Sequence, residues 1–298
     1  MKENEYTIMI VTPTYNRAYI LGNLYQSLLK QTKKDFYWMI VDDGSTDNTE
    51  VLVKEWIIDN KIQIQYLKIE NSGKSAAINC ALDVAKGKLF FCVDSDDYLN
   101  DMAIEKILEN YEKLDSGLIG MVAGMRNYRT NEPVTIFGGK RNTGKLKELY
   151  DVNEISGDTA LIYKMEIITK YRFPQFENEK FVPENYLRDL LDREGELYII
   201  KEYICMIDYL QDGYTKKIKK TIFENPNGYY AYISQRLRFD KGFFCVFFDN
   251  IRCVSINMVR KQRNILLGTR SSCFLFLVIP LAVLYYMTTF YRYEKNKK

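Results

Sequence analysis

The sequence predicts an α/β fold built on a doubly wound, mostly parallel sheet, and three observations predict it. Short β-rich runs alternate with longer segments of helical spacing over residues 1–125. Each run stops at a cluster of small polar and acidic residues, the place where such sheets hold their ligands. The chain has 298 residues and 47% hydrophobic content, enough to bury the core this arrangement needs.

The β-rich runs cover residues 7–12, 36–41, 62–69 and 89–93, where Ile, Val, Phe, Tyr and Leu predominate. Between them, residues 18–31, 49–60 and 75–85 carry apolar side chains at three- and four-residue steps, as helices packed on a sheet require. Residues 126–216 are less regular, with breakers at Gly138-Gly139 and Phe173-Pro174, and read as an acceptor-binding half of the same domain. Residues 217–298 form a third region of basic helical stretches and an uncharged run over 271–291.

Composition removes several classes of function. The net charge of +3 on 42 basic and 39 acidic residues lacks the concentrated positive field of a nucleic-acid binder. There is no histidine, so imidazole zinc sites and Ser-His-Asp or Cys-His nucleophiles are excluded. The six cysteines lie mostly in apolar runs without a Cys-x-x-Cys pair, and read as small core residues in a reducing compartment. The start Met-Lys-Glu-Asn-Glu has no apolar signal core, which leads us to expect a cytoplasmic location.

The strand ends carry the chemistry. Asp94-Ser95-Asp96-Asp97 puts three carboxylates in four residues, an arrangement that repels itself unless a cation or hydrogen-bond donors offset the charge. Magnesium or manganese suits such oxygen ligands, and each leaves positions for phosphate oxygens. The structural alternative is an acidic turn capping a helix that starts near Met102. Asp42-Asp43 offers either a cap for the helix near Thr49 or an acceptor for the N–H edge of a uracil-like base. Tyr15 offers a flat face to that base or plain packing. Gly73-Lys74-Ser75 imitates the end of a phosphate loop, but position 68 is Lys where a glycine is required. Lys74 remains a candidate point charge for a phosphate.

Taken together, Val11-Thr12-Pro13-Thr14-Tyr15-Asn16-Arg17, Val41-Asp42-Asp43-Gly44-Ser45-Thr46-Asp47, Asn71-Ser72-Gly73 through Asn79, and Asp94-Ser95-Asp96-Asp97 resemble the family 2 glycosyltransferases of the GT-A fold. The likeness covers residues 6 to about 110. It implies that Pro13, Tyr15 and Asp43 bind the nucleotide base of a nucleotide-diphosphate sugar, with a UDP-sugar favoured. Asp94, with Ser95, is implied to lie near the ribose and phosphates, and Asp96 to hold Mn2+ or Mg2+. Glu179-Lys180-Phe181-Val182-Pro183-Glu184-Asn185 resembles the segment that carries the catalytic base, with Glu184 at the expected place and Glu179 as the alternative. A base there would take the proton of an acceptor hydroxyl, whose oxygen attacks the anomeric carbon directly as the diphosphate leaves, and this implies inversion at the sugar. The acceptor expected is a glycan or lipid-linked glycan. Two rivals are a non-catalytic nucleotide-sugar-binding subunit and a sugar nucleotidyltransferase, although residues 12–18 lack the glycine-rich loop that the latter uses.

The uncharged run 271–291 is barely long enough to span a bilayer, contains Pro280, and has basic residues on both sides. That pattern predicts a C-terminal region lying on the cytoplasmic face of the membrane, peripheral or re-entrant, and not crossing it.

Overall fold

A computed structural model describes residues 6–208, 214–239, 242–270 and 275–295. The chain divides into two compact units, one of Met1–Arg172 with Leu190–Tyr209, the other of Phe173–Asp189 with Leu210–Lys298. The boundaries therefore fall around residues 172, 189 and 209.

The first unit starts with β1 (Ile8–Thr14), α1 (Leu21–Lys30), β2 (Phe36–Asp42), α2 (Thr49–Asp59), β3 (Ile64–Lys68), α3 (Lys74–Asp83) and β4 (Leu89–Cys92). It continues through β5 (Tyr98–Leu99), α4 (Ala103–Tyr111), β6 (Leu118–Asn127), β7 (Ile136–Phe137) and β8 (Thr143–Gly144). Then come α5 (Leu146–Asp151), β9 (Ile155–Ser156), β10 (Thr159–Lys164) and α6 (Met165–Ile168). Helix α7 (Asn185–Leu191) crosses the unit boundary and leads to β11 (Glu196–Ile207).

Nine strands form the main sheet in the order β3-β2-β1-β4-β10-β6-β11-β5, with β8 also paired to β11. Strands β1 to β4 are mutually parallel where they pair, and β10 runs antiparallel between β4 and β6. Every residue of β1 and β2 is buried, which explains why these strands read as continuous apolar runs without alternation. Trp38 sits at the centre of the core. Its ring lies 5.8 Å from Trp56 and 6.3 Å from Tyr25, and its Nε1–H donates to Thr12 Oγ1 at 2.9 Å.

The register fixes the working edge of the sheet. Thr14 stands opposite Asp42, Asp42 opposite Lys68, and Val11 opposite Cys92, so the ends of β1, β2, β3 and β4 open on one side. Because β10 is antiparallel to β4, its beginning, preceded by Asp158, comes to that same side.

The second unit contains α8 (Tyr214–Glu224), α9 (Pro226–Phe239), α10 (Phe243–Val259), α11 (Leu275–Thr289) and α12 (Tyr291–Lys295). Phe223, Ile233, Leu237, Cys253, Ile256 and Phe290 form one core, and Ile251, Val254, Val278 and Ala282 a second. Asp249 is fully buried yet paired twice, with Arg236 Nε at 2.7 Å and Arg252 Nη1 at 2.8 Å. No helix among the described residues is long and apolar enough to cross a membrane. The cysteines divide: Cys205 and Cys253 are buried, Cys80 and Cys92 half-buried, and Cys245 exposed, against the expectation of core burial. Cys273 lies outside the described residues.

Candidate active site

Asn16, just past the end of β1, adopts a left-handed φ of 52° and ties two strand ends together. Its backbone N–H donates to Ser45 Oγ at 2.8 Å, and its Oδ1 accepts the N–H of Thr46 at 2.8 Å. Asp47 Oδ2 accepts the N–H of Ala18 at 3.1 Å, and Asp47 Oδ1 that of Thr49 at 3.0 Å, anchoring the first turn of α2. Burial works against ionisation of Asp47, but the hydrogen bonds from Thr49 and Ala18 outweigh it and hold its pKa below the usual value. The N-cap of α2 is Asn48, and the Thr49 N–H that opens the helix is met by Asp47.

Asp42 is fully buried and accepts the N–H of Ser45 at 2.7 Å and the hydroxyl of Tyr66. Burial, then this hydrogen bond, raises the Tyr66 pKa. Asp43 reaches the next strand end, where Oδ1 accepts the N–H of Ser72 at 2.7 Å and Oδ2 that of Gly73 at 2.8 Å. The carboxylate expected to select a base therefore also pins the loop before α3. Gly44 is required between these residues: its φ is +78°, and an added Cβ would stand 2.9 Å from the Asn71 backbone nitrogen.

Lys74 opens α3, and its Nζ pairs with Asp94 at 2.6 Å to Oδ1 and 2.8 Å to Oδ2. Thus Asp43, the Gly73-Lys74 corner and Asp94 form a chain of bonded neighbours across the ends of β2, β3 and β4. Ser95 is buried, and Asp96 and Asp97 are half-buried in the turn closed by the Asp97 N–H on the Asp94 carbonyl at 3.1 Å. The carboxylates of this run do not cap α4. That helix start is served by Asn100 Oδ1, which accepts the N–H of Met102 at 2.9 Å, and by Gln31 Oε1, which accepts that of Ile104 at 3.0 Å.

The acidic run is electrostatically stressed. Burial, then the neighbouring Asp94, raises the Asp96 pKa, while Arg17 and Lys74 pull it down. Burial and the charges of Asp94 and Asp96 push Asp97 up to about 9, with Asp158 adding to the effect. Burial, then the charges of Asp97 and Asp94, also raises the pKa of Cys205 on β11. Among the described residues no three acidic, cysteine or histidine side chains make a ready cation cage. The donor set still fits a hard divalent ion, because oxygen donors crowd one turn and such an ion commonly takes one or two carboxylates plus phosphate oxygens.

Pro13 is buried at the β1 end, while Tyr15 is 47% exposed at the mouth, leaving its ring open to a planar partner. Glu184 belongs to the second unit, is exposed, and accepts from Arg188 Nη2 at 3.1 Å. Glu179 is engaged differently. Its Oε1 accepts the N–H of Asn227 at 2.9 Å and the Nδ2–H of Asn227 at 2.7 Å, and its Oε2 accepts the N–H of Gly228 at 2.8 Å, all at the start of α9. Arg17 and Asp158 were not singled out from sequence as neighbours of the acidic run. Arg17 had a signal, since it directly follows the Tyr15-Asn16 motif; Asp158 had none, being brought in by the antiparallel placement of β10.

The fold and this edge define an α/β domain with its polar residues gathered at the strand ends, and the comparisons give its family. The family model described as glycosyl transferase family 2 matches residues 9–171, and the chain belongs to that family, whose members are transferases. It is 32% identical over 171 residues to a teichoic acid poly(glycerol phosphate) polymerase of Staphylococcus epidermidis, covering 53% of this chain and 23% of the relative. The next two curated relatives are covered over 37% and 40% of their lengths, so the chain spans less than half of each. Among solved structures, S. aureus TarS residues 1–349 in complex with UDP-GlcNAc aligns with a TM-score of 0.61 at 16% identity, covering 97% of this chain and 92% of that one. The mannosyltransferase PcManGT of Pyrobaculum calidifontis, in complex with GDP-Man and Mn2+, aligns with a TM-score of 0.53 at 16% identity, covering 94% and 74%. These likenesses establish the GT-A-like fold, with its mostly parallel central sheet.

Proposed function

We propose that this protein is an inverting, metal-dependent glycosyltransferase that moves a sugar from a nucleotide diphosphate, a UDP-sugar by preference, to a hydroxyl of a glycan or lipid-linked glycan. The observation that carries the reading is the bonded sequence Asp43, Gly73, Lys74 and Asp94 across adjoining strand ends, beside the stressed carboxylates of Asp96 and Asp97. A nucleotide-sugar complex of one structural neighbour and a GDP-Man and Mn2+ complex of another support donor and ion, since both share this fold.

In this reading Tyr15 stacks on the base, Pro13 shapes its seat, and Asp43 accepts the base N–H while continuing to hold the Ser72-Gly73 corner. Asp94 and Ser95 meet the ribose and phosphate side. Asp96 would hold Mn2+ or Mg2+, which when bound neutralises charge on the departing diphosphate. Lys74 supplies a fixed positive charge near the same phosphates, exchanging part of its pairing with Asp94 for the ligand. Glu184 takes the proton of the acceptor hydroxyl. Glu179 is the weaker choice, because its carboxylate is committed to the start of α9 and leaving it would uncap two backbone N–H groups.

The test is hydrolysis and transfer from a panel of nucleotide sugars with and without Mn2+. The reading expects metal-dependent release of nucleoside diphosphate, accelerated by a hydroxyl acceptor, with the product anomer inverted. Release of diphosphate that ignores both metal and acceptor would refute it.

A further inference from the structure

Helix α11 is built the wrong way round for a helix bathed in water. The side it turns inward carries Val278, Ala282 and Thr289, whereas the side it turns outward carries Phe276, Leu277, Leu281, Val283, Leu284 and Met287. Phe276 is 70% exposed and Leu284 59%. The outward positions follow three- and four-residue steps, so they make one continuous apolar stripe along about three turns. The start of α10 in the same unit adds Phe243, Phe244 and Phe248, also exposed. Patches of this kind mark a surface that meets something apolar.

Basic residues on both sides of the run and Pro280 inside the helix argue against a span. The fifteen described residues of α11 extend about 22 Å at 1.5 Å per residue, against a hydrocarbon core of roughly 30 Å. Charge then identifies the occupant. From Phe243 to Lys295 the chain has seven basic and two acidic residues, and one of those acids, Asp249, is buried between two arginines. Lys261, Arg263 and Arg270 precede α11 and Arg292 and Lys295 follow it, all exposed. An apolar stripe with exposed cations before and after it matches the acyl and headgroup layers of an anionic bilayer leaflet. A second copy of the same basic surface would bring like charges together.

We infer that α11 is a one-sided anchor that seats the second unit on the surface of an anionic bilayer, apolar stripe downward, without crossing it. The inference is independent of the transfer chemistry proposed above. It is tested with the full chain by sedimentation with vesicles of phosphatidylcholine alone or mixed with phosphatidylglycerol. We expect binding at least about tenfold tighter to the mixed vesicles, loss of binding in Leu281→Asp/Leu284→Asp, and about a tenfold loss in Arg292→Glu/Lys295→Glu. Circular dichroism of each variant reports folding, and the charge-reversal pair leaves the stripe intact should the first pair misfold. Protease protection of a C-terminal tag by sealed vesicles, vesicle-independent dimerisation abolished by Leu281→Asp, or equal binding to both vesicle types would overturn the inference. Nucleotide-sugar hydrolysis measured alongside keeps the two readings apart, since anchoring and turnover succeed or fail separately.

Discussion

The two units distribute polarity in opposite ways. In the first, apolar residues fill the strands and polar ones gather at the strand ends, where Asp43 holds the backbone N–H groups of Ser72 and Gly73. In the second, around two apolar cores, α10 buries several polar groups and α11 exposes apolar ones. Asp249, Asn250, Ser255 and Asn257 of α10 lie inside, while Phe276 and Leu284 of α11 face out. The buried polar groups are satisfied locally: Asn257 Nδ2 donates to the carbonyls of Ile265 at 3.0 Å and Leu267 at 2.8 Å, and Ser255 Oγ to that of Ala282 at 2.8 Å. The lesson is that polarity at a strand end can be held ready for a ligand, whereas polarity within α10 is spent on holding loop and helix together.

The largest effect that could break this comparison concerns the strand-end edge. Asp96→Ala and Glu184→Ala should each lower transfer by at least about a hundredfold, with unchanged circular dichroism, as read by steady-state kinetics. Near-normal turnover in either variant would remove that residue from the proposed chemistry.

Asp43→Ala should be costly in a different currency. It leaves the N–H groups of Ser72 and Gly73 without their acceptors in a buried corner, for a loss of about 2–4 kcal/mol in urea unfolding. Nucleotide binding should fall with it. If stability is unchanged while binding is lost, Asp43 is a ligand contact and not a corner post.

Gly44→Ala sharpens the same point at smaller scale, since a left-handed backbone and a 2.9 Å approach to Asn71 both oppose a Cβ. The expected cost is about 1–2 kcal/mol, read from the thermal or urea midpoint.

How much of this was legible in the sequence follows from the range of the forces involved. Strands β1 to β4 and helices α1 to α3 fell within a few residues of the sequence reading, because their signals are local: apolar runs ended by Asp, Asn and Gly. The acidic turn at Asp94 was equally plain. Long-range pairing was not. Nothing near Thr159 announces that β10 inserts antiparallel between β4 and β6, or that Asp158 thereby approaches Asp97. Glu179 and Glu184 look alike in a motif, and only the position of Asn227 and Gly228 separates them. The hydropathy of 271–291 was visible, but which side of α11 stays outside depends on what α10 covers. Residues 271–274 of that run lie outside the described residues.

The smallest effect is a pH dependence at Asp47. Its folded pKa lies below 3.8, so the carboxylate stabilises the fold above about pH 4 and that contribution fades as pH falls through the folded value. Asp47→Asn should therefore narrow its stability gap from the parent protein on acidification, in thermal melts between neutral and acid pH. A gap that widens toward acid would mean the hydrogen bonds from Ala18 and Thr49 do not favour the charged form.

The most direct test is calorimetric titration of a UDP-sugar into the full chain with and without Mn2+, repeated for Asp96→Asn. Crowded carboxylates beside Lys74 predict donor binding that requires the ion in the parent protein and is lost in the variant. Equal affinity with and without Mn2+, or an Asp96→Asn protein that binds donor as tightly as its parent, would contradict a cation site at this edge of the sheet.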